Sequence, residues 1–146
     1  MGFFKSSKSH IEIIQEQCDL VVDLSRVVRS HCDRSLRGKY DYMRPEERAD
    51  LVRLAHEEIL KLQVALEKAK TRQATMDGES GGSEAELAAE SVLLSASLDA
   101  TEAQKSLTEA HSSLVHGMSE VEQFYGPRSK EAKHLRKVLS QVQASA

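Results

Sequence analysis

The sequence has no tryptophan, 4% aromatic residues and two prolines in 146 positions. Sandwiches, barrels and concave small-molecule pockets draw on aromatic and β-branched residues, so those architectures lack their usual material here. The two cysteines, Cys18 and Cys32, are two heptads apart, which on one helix separates them by about 21 Å. That distance forbids a disulfide between them, and both fall on an apolar stripe, so they read as buried thiols. No apolar run approaches the roughly 18 residues of a membrane span, and the first residues lack the charged, apolar, small-residue order of a secretory signal. The expected compartment is cytoplasmic. Twenty basic against 23 acidic residues leave a net charge of −3, so no bulk excess draws the chain to nucleic acid or to an anionic membrane.

What the chain does contain is apolar residues spaced three and four apart, against a background of Ala, Leu, Glu, Lys, Arg, Gln and Ser. Ile11, Ile14, Cys18, Val21, Ser25, Val28 and Cys32 make one such seam, with Leu20, Leu24, Val27 and His31 beside it, so this helix has two neighbours. Val52, Ala55, Ile59, Leu62, Leu66 and Ala69 make a second after Pro45, with Leu51, Leu54 and Ala65 flanking it. The strongest seam runs Ala89, Leu93, Ala96, Ala100, Ala103, Leu107, Ala110, Leu114, Gly117, Val121 and Phe124. Its small residues let a partner helix approach to the short end of the usual range of about 8–10 Å. A fourth, shorter seam follows Gly126 and Pro127: Ala132, Leu135, Leu139 and Val142, with Val138 beside it.

These patterns predict an all-α, antiparallel helical bundle of three long helices and a shorter C-terminal helix, packed like a coiled coil. The expected helices are about 9–37, 45–76, 83–125 and 128–144. Residues 77–83, with glycines at 78, 81 and 82, read as a flexible linker, and residues 1–146 as a single domain. The last helix is basic (Arg128, Lys130, Lys133, Arg136, Lys137), whereas the third carries eight acidic residues and one lysine. The fourth is therefore expected to fold back along the acidic end of the third. Dimerisation would cover the half of the bundle that it leaves bare.

No constellation carries reaction chemistry. A carboxylate-bridged metal bundle needs inward Glu residues and Glu-x-x-His pairs, and only Glu131 and His134 have that spacing. A phosphotransfer histidine needs a neighbouring lysine, which His116-Gly117 lacks. Serine sits in no nucleophile elbow and glycine in no phosphate-cradling loop. We therefore expect no cofactor, no metal, no small-molecule substrate and no enzyme activity. The basic stretch 128–137 is accounted for by the acidic helix more simply than by nucleic acid, having no aromatic residue to stack on bases.

The remaining reading is an interaction, scaffold or adaptor module that binds a protein partner or a second copy of itself, with Leu51, Leu54, Leu94, Leu98 and Val138 as candidate contacts. An alternative is a membrane-surface adaptor inserting Phe3 and Phe4 beside Lys5 and Lys8, with Gly2 in a myristoylation-like context. A metal-binding or phosphotransfer bundle is the second alternative.

Overall fold

A computed structural model describes residues 9–37, 43–79 and 83–144. Four helices follow in order: α1 (His10–Arg37), α2 (Pro45–Glu79), α3 (Ser83–Tyr125) and α4 (Lys130–Ala144). Among the described residues there is no strand. The all-α bundle is therefore as the heptads predict, and α3, at 43 residues, is about 64 Å long.

The starts of α1, α2 and α4 are capped by local chemistry. Ser9 and Glu12 form a reciprocal box: the Glu12 N–H donates to Ser9 Oγ at 3.2 Å, and the Ser9 N–H donates to Glu12 Oε1 at 3.0 Å. At α2 the Arg44 N–H donates to Glu47 Oε1 at 2.9 Å. Before α4, Ser129 Oγ accepts from the Ala132 N–H at 3.1 Å and donates to the Gly126 carbonyl at 2.7 Å. Gly126 takes φ 99°, the left-handed residue that ends α3, and Pro127 bars its continuation.

The 77–83 linker requires correction, because α2 runs on through Asp77 and Gly78 to Glu79. Met76, 4% exposed, belongs to the core, and its burial holds a last turn that one helical glycine, at about 1 kcal/mol, does not break. Residues 80–82 lie outside the described residues.

Helices α1, α2 and α3 pack against one another, and α4 packs on both α2 and α3. Side-chain pairings fix the directions. His10 meets Arg72 and Ser35 meets Arg48, so α1 and α2 are antiparallel. Gln63 meets Gln104, compatible with α2 and α3 running antiparallel as well. Arg136 reaches Glu122 while His111 reaches the Leu139 carbonyl, so α4 lies back along the C-terminal part of α3. It also runs beside the start of α2, where His134 meets Asp50. The result is a bundle with four helices at one end and three at the other.

Candidate functional site

Three of the five candidate contacts lose their premise of exposure. Leu51 and Val138 are buried, and Leu54 is half-buried. The reason is that α2 has three neighbours and α4 has two, so positions flanking a seam, which a two-helix contact would leave open, are covered. Leu94 and Leu98 are exposed, at 63% and 61%. Phe124, placed on the α3 seam by its spacing, is instead 82% exposed and stacks edge-on against Tyr125, their centroids 4.9 Å apart. Phe3, Phe4, Lys5 and Lys8 lie outside the described residues.

Chemistry has its best opportunity in the groove between α2 and α4, lined by Arg53, His56, Glu57, His134, Lys137, Val138 and Gln141. The His134 Nε2–H donates to Asp50 Oδ1 at 2.7 Å, since a carboxylate can only accept. A histidine held by a carboxylate is also what a nucleophile-activating triad contains. The lining residues, however, include no serine, threonine or cysteine for it to activate. His56 titrates below its ordinary value, chiefly because burial penalises the imidazolium and further because His111 is near; Glu57 works against both. Glu131, which stands at Glu-x-x-His spacing from His134, faces Arg44 at 3.2 Å. Among the described residues no three His, Cys, Asp or Glu side chains converge as metal ligands do.

A second groove, between α1 and α3, is lined by Arg26, Arg29, Ser30, Cys32, Asp33, Leu36, Ser106 and Glu109. Its thiol is unsuited to attack. Burial, with the Glu109 charge adding, pushes Cys32 up to about 12, so the thiolate is scarce at neutral pH. Cys18 is raised for the same first reason, with Asp19 adding.

The outer surface of α3 is different in kind. Leu87, Leu94 and Leu98 are spaced seven and four residues apart, hence on one face, and each is between 61% and 65% exposed. The core residues of the same stretch, Ala89, Leu93, Ala96 and Ala103, are at most 7% exposed and occupy the opposite side of the helix. Glu90 borders the leucines on one flank, and Glu84 and Glu102 on the other. No family model, no curated protein and no solved structure matches the chain. The functional reading therefore stands on the geometry alone.

Leu87 is the one residue of this stripe not among the sequence-based contact candidates, because the core seam dominates the α3 pattern. Its signal is its place one heptad before Leu94, in a helix whose inward side is already filled.

Proposed function

We propose that this chain is a non-enzymatic helical-bundle module that works by binding another protein, as a scaffold or adaptor. The observation that carries the reading is the Leu87, Leu94 and Leu98 stripe. A helix that already buries a complete seam on one side has no packing use for three leucines on the other. The lining of the α2/α4 groove holds no serine, threonine or cysteine for its His134–Asp50 pair to activate, which favours binding over catalysis. No described helix is long and apolar enough to cross a membrane, and a module of this kind suits the cytoplasm.

The test compares the wild-type chain with a Leu87→Ser/Leu94→Ser/Leu98→Ser variant in affinity purification from the native host, after sedimentation has given the mass of each. Proteins recovered in stoichiometric amount by the wild type and lost by the variant are the expected outcome, and so is a wild-type dimer that the variant dissolves. Identical recoveries and identical masses would remove the stripe from consideration.

A further inference from the structure

Building on that reading, we propose that the outward face of the first half of α3 docks a basic amphipathic helix of a partner protein. Three leucines spaced seven and four apart span about 16 Å along the helix, the repeat that a second helix meets when it lies alongside at a shallow angle. Glutamates flank them on both sides: Glu90 on one, Glu84 and Glu102 on the other. These are the flanking places where coiled-coil helices choose partners by charge, so lysine or arginine is the complementary choice across the contact. From Ser83 to Lys105 the helix carries Glu84, Glu86, Glu90, Asp99 and Glu102 against Lys105 alone. Among the described residues none of these carboxylates is bridged to another helix; Glu102 reaches only Lys105 on its own helix, at 3.8 Å.

The same charges argue against the other occupants. A second copy laid face to face would set glutamate against glutamate in either direction. Nor can its basic α4 fill the stripe, because the apolar residues of that helix (Ala132, Leu135, Val138 and Val142) are buried in their own bundle. Anionic lipid and nucleic acid meet the wrong sign. Within the chain, α4 already shows the preferred pairing: a basic amphipathic helix laid on the acidic other half of α3, with Arg136 Nη1 at 2.8 Å from Glu122 Oε2. Three leucines make a small contact, at the lower end of specific interfaces, below about 1,200 Å². It is therefore expected to be transient and weakened by salt.

The probes are two fluorescein-labelled designed peptides of three heptads, both with leucine at a and d, one with lysine and the other with glutamate at the flanking positions. Anisotropy is read against the full chain, the Leu87→Ser/Leu94→Ser/Leu98→Ser variant and a Glu84→Gln/Glu90→Gln/Glu102→Gln variant, with circular dichroism checking that both variants keep their helices. The wild type is expected to bind the lysine peptide at least ten-fold more tightly than the glutamate peptide, and each variant to lose at least ten-fold for the lysine peptide. Equal lysine-peptide binding by the leucine variant would reduce the effect to charge alone and sink both this proposal and the stripe's role in binding. Leucine-dependent preference for the glutamate peptide, or a wild-type dimer that the leucine variant dissolves, would overturn the basic partner while leaving an interaction module in place.

Discussion

Where α4 lies, four helices share the core; at the other end α1, α2 and α3 close it alone. The four-helix end buries Val28, Val52, Ile59, Leu107, Leu114, Leu135 and Val138 and ties its helices together through polar groups. Arg136 bridges to Glu122 and to the Pro127 carbonyl at 2.6 Å, His134 to Asp50, and Arg44 to Glu131. Arg48 and Ser35 exchange bonds, Arg48 Nε donating to the Ser35 carbonyl at 3.0 Å and Ser35 Oγ to the Arg48 carbonyl at 3.2 Å. The three-helix end is thinner and relies on small side chains, Ala65, Ala69, Ala89, Ala96 and Ala103, packed with Ile14, Cys18, Leu62 and Leu93. On α3 the exposed Glu84, Glu90 and Glu102 flank the outward leucines. The four-helix end also exposes apolar residues, Val115 at 48% and Phe124 at 82%, but these two lie on different sides of α3. At the other end Leu87, Leu94 and Leu98 share one face, and a shared face is the property expected of a binding surface.

The comparison breaks most visibly if the core of the four-helix end is emptied. Leu135, 1% exposed, is the largest fully buried side chain of α4, and Leu135→Ala is expected to cost about 2–5 kcal/mol. Urea unfolding followed by circular dichroism should show a lower midpoint with one transition. A separate early transition would mean that α4 detaches before the rest unfolds. At the other end the sensitive change is enlargement: Ala96 is 1% exposed, and Ala96→Leu is expected to lose about 1–3 kcal/mol by forcing close helices apart. A thermal midpoint unchanged by that substitution would mean that the three-helix end is looser than its alanines imply.

Glycines separate the turn from the helix. A side chain at Gly126 meets nothing within 4 Å, yet the residue sits at φ +99°, so Gly126→Ala should lose about 1–2 kcal/mol through backbone strain alone. Gly117 is also open but lies within α3, and Gly117→Ala should gain up to about 1 kcal/mol of helix propensity. Chemical denaturation of the two variants side by side checks the opposite signs.

Most of the fold was legible because helix seams repeat locally: Ile14, Val52, Leu107 and Leu135 announce themselves by their three-four neighbours. What sequence could not supply was how many neighbours each helix has. Leu51 and Val138 stand beside their seams and look exposed until α2 is given its third neighbour and α4 its second, a fact about tertiary arrangement rather than about spacing. Phe124 erred in the opposite sense, since the pattern continues into a last turn of α3 where it remains uncovered. Gly78 misled as a linker signal because the buried Met76 outweighs the cost of a single glycine near a helix end. Of the candidate surface, Leu94 and Leu98 were readable from their position outside the seam; the acidic rim around them emerges only once their face is known.

A smaller effect tests the polar side of the four-helix end. His56 is held below its ordinary value by burial, so the folded state binds fewer protons there than the unfolded chain does. Its contribution is complete above about pH 6.5 and is lost as the pH falls below that. Between pH 7.5 and pH 5.5 the wild type should therefore lose more stability than His56→Gln, measured as the difference between their urea midpoints. Parallel losses would show that His56 is not penalised when charged.

The smallest effect is the most informative, because it separates surplus from necessity. Leu94→Ser removes an apolar side chain as large as that of Leu135, but from a site 63% exposed, so the expected change in stability is within about 0.5 kcal/mol. Solubility should improve or stay level as an outward leucine becomes polar. A loss of 2 kcal/mol or more would place Leu94 among the residues that hold the bundle together, and the outward face of α3 would then belong to the fold like every other seam in the chain. A stable variant with unchanged helicity leaves the leucine without a structural role, as the proposed binding face requires.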